Sequence, residues 1–96
     1  MIVEFDSSFL KSLRKLKDAP LREKVEQLIL SLERAESLSS ISSVKKIVGF
    51  KHYYRVRIGD YRLGLEKVSA ETVRLIVIAH RKDIYDLFPW LFYDQL

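Results

Sequence analysis

Arg55, Arg57 and Arg62 fall within the run Tyr53-Tyr54-Arg55-Val56-Arg57-Ile58-Gly59-Asp60-Tyr61-Arg62-Leu63. A guanidinium is planar, permanently charged and able to grip a phosphate or carboxylate with two parallel hydrogen bonds. Strict alternation sends Tyr54, Val56 and Ile58 to one side of a strand and Tyr53, Arg55 and Arg57 to the other. Gly59-Asp60 is a two-residue connection of the type that makes a tight primed turn. That turn pairs Ile58 with Tyr61, Arg57 with Arg62, Val56 with Leu63, and Arg55 with Gly64. Like charges directly opposite one another destabilise a sheet by roughly 0.2–1 kcal/mol. The simplest compensating gain is an anion bound over that face; the plainer alternative is a solvated strand face.

The surrounding charge points the same way. Residues 1–44 carry seven Lys/Arg and seven Asp/Glu, whereas residues 45–96 carry ten against six, so the net +4 lies in the second half. Within residues 45–62 there are six basic side chains and a single acid, Asp60. A local basic stripe of this sort is the footprint of a polyanion partner. Lys45, Lys46, Lys51, His52 and Tyr53 are therefore candidate contacts to such a polyanion beside the arginines. With two histidines and no cysteine, a soft-ligand zinc site has no ligands to draw on, and an arginine-rich cavity repels divalent cations. Three scattered glycines make no phosphate-cradling loop, so no cofactor is expected.

The elements that must position these residues can be traced along the chain. Ninety-six residues, 48 % of them hydrophobic, suit one domain spanning residues 1–96. Ile2-Val3-Glu4-Phe5 is a short strand candidate, and Asp6 offers an N-cap to a helix carrying Phe9, Leu10, Leu13 and Leu16. Lys17-Asp18-Ala19-Pro20 ends that helix and starts a second, with Leu21, Val25, Leu28, Ile29 and Leu32 as its apolar stripe. The serine-rich segment from Glu36 to Ser43 wraps the core as a loop. A strand through about Ile58, its hairpin partner at Tyr61–Val68 and a last strand at Val73–Ala79 follow. The near-continuous apolar run of that last strand fits a position covered on both sides. The expected architecture is α+β: β-α-α-β-β-β plus a short C-terminal helical turn, with the helical hairpin packed on a mainly antiparallel sheet. The aromatic tail Phe88-Pro89-Trp90-Leu91-Phe92-Tyr93 reads as a lid over the core or as a partner-binding patch. The absence of a signal-like start, of a long apolar run and of cysteine leads to the expectation of a cytoplasmic protein.

Gly49-Phe50, the run from Tyr54 to Leu63, and His80-Arg81-Lys82-Asp83-Ile84-Tyr85 together resemble the RelE/ParE superfamily of toxins from type II toxin–antitoxin systems, more closely its RelE-type branch. With the preceding helical hairpin, the resemblance covers nearly the whole chain. It implies a RelE-like fold and a metal-independent endoribonuclease that cuts mRNA in the ribosomal A site. It also implies a cognate RelB-like antitoxin whose helices wrap the toxin, in a hetero-oligomer. Arg55 and Arg57 stand where RelE proper has two basic residues, lysines in the best-known member. Arg62 matches an arginine on the following strand, and Arg81 and Tyr85 match an arginine and a tyrosine beyond the last strand, at shorter spacing.

Cleavage of this type has the 2′-hydroxyl attack its own phosphate, leaving a 2′,3′-cyclic phosphate and a free 5′-hydroxyl. Negative charge gathers on the phosphoryl oxygens, so preorganised cations are the expected stabilisers. Arginine serves that role but not proton abstraction, because its delocalised guanidinium holds its charge far above neutral pH. The resulting assignment has Arg55, Arg57 and Arg62 clamp the phosphate and Arg81 stabilise the transition state or leaving oxygen. His80 exchanges protons, as imidazoles commonly do, and Tyr85 stacks on or orients a base. Set against these are a structural histidine at a strand end and a core tyrosine. Two other functions share the fold: a ParE-like gyrase inhibitor without nuclease chemistry, and a catalytically decayed antitoxin- or RNA-binding relative.

Overall fold

A computed structural model describes residues 1–89. The chain runs β1 (Ile2–Phe5), α1 (Ser7–Arg14), α2 (Ala19–Arg34), a 3₁₀ turn at Leu38–Ser40, β2 (Val44–Lys46), β3 (Tyr53–Ile58), β4 (Tyr61–Lys67), β5 (Thr72–His80) and α3 (Ile84–Leu87). The strands form one sheet in the order β1-β5-β4-β3-β2, with only the β1–β5 pair parallel. This is the expected α+β layout with one more strand. The segment expected as a single strand from Val44 to Ile58 is two, because Gly49 turns the chain at a φ of 89° and β2 folds back on β3.

Helices α1 and α2 each start where an aspartate satisfies an orphan backbone N–H. Asp6 accepts from the Ser8 N–H at 3.1 Å, and Asp18 accepts from the Leu21 N–H at 3.1 Å. Pro20 occupies the first turn of α2, where a missing N–H costs nothing. The C-terminus of α1 is closed by the next helix: Arg22 Nη1 donates to the Leu16 carbonyl at 3.0 Å. The Met1 ammonium donates to the carbonyls of Leu32, Glu33 and Ala35 at the end of α2.

Phe9 and Leu16 from the first helical segment, with Leu21, Val25, Leu28 and Leu32 of α2, bury against one sheet face. That face supplies Val56, Ile58, Leu63, Leu65, Val73, Leu75 and Ile78. β1 is short and ends opposite Leu75, which leaves the next stretch of the β5 edge without a strand partner. Helix α1 closes it with two serines. Ser8 Oγ donates to the Ile76 carbonyl, and Ser12 Oγ accepts from the Ile78 N–H at 3.0 Å.

The other face carries a smaller core. The register between β4 and β5 shifts at Gly64/Leu65, so Ile76 has no partner on β4. The bulge lets consecutive residues, Ile76 and Val77, both join Tyr53, Ile84 and Phe88 in this second cluster. The apolar run of β5 thus reflects cover on both faces. Phe88 is fully buried, and its ring lies 2.6 Å from where a Cβ on Gly64 would stand, so only glycine fits beneath it. Phe88 and Pro89 agree with a lid over the core; Trp90, Leu91, Phe92 and Tyr93 lie outside the described residues.

Candidate nucleic-acid interface

Arg57 pairs with Arg62, and Arg62 in turn with Ala79; one step along, Lys45 pairs with Arg55, Arg55 with Gly64, and Gly64 with Val77. Side chains of directly opposed residues share a face. Lys45, Arg55, Arg57 and Arg62 therefore gather on the side opposite α1 and α2. The three arginines come together as the alternation predicts. Gly59 has a φ of 58° while no other residue type has positive φ, which is the II′ pattern of a two-residue hairpin.

Arg62 is held in place by the turn it follows. Its Nη1 donates to the Gly59 and Tyr61 carbonyls, both at 2.9 Å. A guanidinium has five N–H donors, so Nε and Nη2 keep three for a ligand. Arg81 reaches the same turn: its N–H donates to the Asp60 carbonyl at 2.8 Å, and its Nε stands 4.0 Å from Asp60 Oδ1. That pair is exposed on both sides and contributes little. Among the described residues, Arg55, Arg57 and Arg62 make no ion pair. The face has acids, but they sit at its other end, where Arg74 bridges Glu4 at 3.1 Å and the buried Glu66 at 3.4 Å. Among the described residues the result is a concentrated positive charge at one end of the sheet. Among the described residues no three His, Cys, Asp or Glu side chains converge.

Tyr85 lies on α3, which packs on the arginine side through Ile84 and Phe88 one turn apart. Its own ring points outward and is 49 % exposed, so it is not a core aromatic.

Three expectations need correction. His80 does not stand among the arginines. It pairs with Tyr61, and Tyr61 with Ile58, on the helix-covered face. Its ring meets Tyr61 edge-on at 5.5 Å, and its Nδ1 accepts from the Lys82 N–H at 3.2 Å. In the neutral ring the proton is then on Nε2. Tyr53 is not available to a base: it is 2 % exposed, wedged edge-on between Phe50 at 5.7 Å and Phe88 at 5.2 Å. The basic stripe also divides. Lys45 joins the arginines, whereas Lys46, opposite Tyr54, belongs to the other face. Exposed Lys51 and His52 precede β3, about 20 Å of strand away from Arg57 at roughly 3.3 Å per residue. Sequence reasoning missed the Gly64–Phe88 contact beside Arg55, whose signal was a glycine inside an otherwise regular strand pattern.

The comparisons with known proteins agree with this architecture. The family described as ParE toxin of type II toxin-antitoxin system, parDE, matches residues 3–85. The chain is 37 % identical to Toxin RelE3 of Methanocaldococcus jannaschii over 90 residues, covering 93 % of this chain and all of that one. It superposes on the RelB-RelE antitoxin-toxin complex from Methanococcus jannaschii with a TM-score of 0.75 and 35 % identity, over 90 % of this chain and 99 % of that one. The archaeal RelE-RelB complex from Pyrococcus horikoshii OT3 shares the fold at a TM-score of 0.67 and 20 % identity, over 86 % and 97 % of the two chains. Family match, whole-length identity and fold agree, and the chain belongs to the RelE/ParE superfamily of type II toxin–antitoxin toxins.

Proposed function

We propose that this toxin is a ribosome-dependent endoribonuclease that cleaves mRNA through 2′-hydroxyl attack on the adjacent phosphodiester. The observation that carries this function is the Arg57–Arg62 pair, opposed across the hairpin with no ion-pair partner for either among the described residues. A phosphate over that pair turns a repulsion into two charge-assisted contacts. As the 2′-oxygen bonds to phosphorus and the bond to the 5′-oxygen breaks, charge grows on the oxygens facing these cations. Removing one preorganised donor from such a site typically costs about 10²–10³ in rate.

Arg57 and Arg62 hold the phosphate, Arg55 with Lys45 extends the grip along the strand, and Arg81 meets the leaving oxygen at the sheet's end. Tyr85, outward-facing on the same side, stacks on a base. The guanidinium groups carry no basic lone pair to take the proton of the 2′-hydroxyl, so it passes to water, and water returns a proton to the departing 5′-oxygen. Catalysis in this account is electrostatic, and His80 has no part in it at this face. The partner that silences the toxin is a RelB-like antitoxin, by analogy with the complex that the archaeal relative forms. Its segment over the arginines should be acidic.

A gyrase-inhibiting function is the competing possibility, favoured by the ParE description of the matching family. Inducible expression of wild type, Arg62→Ala and Arg81→Ala, with 5′-end mapping of cellular mRNA, separates the two. New 5′ ends clustered in translated frames, lost in both variants, are expected. Toxicity with DNA damage and no new mRNA ends would establish gyrase poisoning instead.

A further inference from the structure

A cavity of about 460 Å³ opens between α1 and the end of β5, along the β5 edge, with Val77, Ala79 and Leu87 in its lining beside Ile78 and His80. Lys11 and Lys15 reach it from one side of α1, a helical turn apart, and Tyr61, His80 and Asp83 line the far wall. The volume lies in the range of roughly 300–1,000 Å³ usual for small-ligand sites. Its two serines are occupied by the fold. Ser8 Oγ binds Asp6 and the Ile76 carbonyl, while Ser12 Oγ joins the Phe9 carbonyl to the Ile78 N–H. The two ammonium groups are not: among the described residues neither lysine is in an ion pair. His80 is fixed through Nδ1 and presents an Nε2–H donor beside the Tyr61 ring.

We propose that this cavity holds a further nucleotide, a few positions along the same RNA strand from the phosphate clamped by Arg57 and Arg62. Its phosphate lies on Lys11 and Lys15, and its base lies against Tyr61 and His80. The inference rests on the nuclease function above and deepens it. Ala79, opposite Arg62, and His80, opposite Tyr61, both line the cavity, so the two sites meet at the edge of β5. Arg81, 57 % exposed beside the Gly59-Asp60 turn, stands where a strand would cross from one to the other. An acidic peptide would satisfy the lysines but leave the two rings unused. A nucleotide uses both, since stacking on aromatic side chains is the sequence-tolerant half of single-strand recognition. Asp83, the one acid in the lining, offers an acceptor to an exocyclic amine, the pairing that carboxylates make with cytosine.

The test titrates uncleavable 2′-O-methyl oligoribonucleotides, a dinucleotide and a pentanucleotide, into wild type, Lys11→Gln/Lys15→Gln and Arg57→Gln/Arg62→Gln over a range of salt. The pentanucleotide should bind wild type more tightly than the dinucleotide. The lysine variant should lose that gain, and its slope of log K against log salt should fall by about 0.7, the value for one phosphate held on a single strand. The Tyr61 and His80 ring signals of wild type should shift in NMR spectra with the pentanucleotide. Equal affinity and slope in wild type and lysine variant, or unmoved ring signals, would overturn the proposal. If the arginine variant still weakens the dinucleotide, only the cavity assignment falls; if neither variant weakens either RNA, the nuclease function falls with it.

Discussion

At the scale of single residues, Arg57 shows how function shapes this sheet. An arginine opposite an arginine is a poor choice for folding, worth roughly 0.2–1 kcal/mol of destabilisation. Arg57→Thr should therefore raise the stability of the free toxin by up to about 1 kcal/mol in urea titrations, since a β-branched residue also suits the strand. The same change should weaken RNA binding. A variant less stable than wild type would mean that the pair is not under repulsive strain. The residue scale was also where the sequence was most legible. Alternation and a Gly-Asp turn placed all three arginines on one face because strand periodicity is two and the hairpin length fixes the register. His80 was assigned to the site from its motif and its imidazole chemistry, and alternation could not have corrected this. It lies one residue past Ala79, and one residue changes the face, but its parity depends on the Gly64/Leu65 bulge, which no local signal announces.

At the scale of elements, two devices hold the site, and each has a single vulnerable contact. Gly64 leaves room for Phe88, which ties α3 and Tyr85 to the arginine side. Gly64→Ala should push the ring away at a cost of about 1–3 kcal/mol, the usual penalty for overpacking. It should also lower cleavage by displacing Tyr85; a thermal midpoint within a degree of wild type would show that the lid does not rest there. The second device is Ser12, which meets the Ile78 N–H where β1 has already ended. Ser12→Ala leaves that donor unpaired and should cost about 1–3 kcal/mol, with amide exchange accelerated first at Ile78. Protection unchanged at Ile78 would contradict the role given to α1. Neither contact was readable beforehand. The capping aspartates and apolar stripes that predicted both helices are local patterns, whereas a serine that closes a distant strand edge is a consequence of where β1 stops.

At the scale of the whole molecule, charge is sorted by the fold more than by the sequence. The basic run from Lys45 to Arg62 looks continuous in the chain, yet β2 folding back on β3 sends Lys46 to one face and Lys45 to the other. Glu4, Arg74 and Glu66 neutralise one end of the arginine face and leave the other positive. RNA affinity should accordingly fall steeply with salt, by about 0.7 in log–log slope for each phosphate held on a single strand. Lys51→Gln, in the loop ahead of β3, should leave that slope unchanged, whereas Arg57→Gln should lower it by about 0.7; equal effects would mean a diffuse footprint rather than a site. The α+β class and the helical hairpin were legible because they follow from periodicity and capping. The extra strand was not, since three residues are too few to show a period and Gly49 was the only hint of the break. The most direct test of the central claim is the rate at which purified wild type, Arg57→Ala and Arg62→Ala cut an mRNA positioned on ribosomes. The account predicts a 2′,3′-cyclic phosphate product and a loss of about 10²–10³ for each substitution, with both variants folded. Cleavage by either variant at nearly the wild-type rate would contradict it.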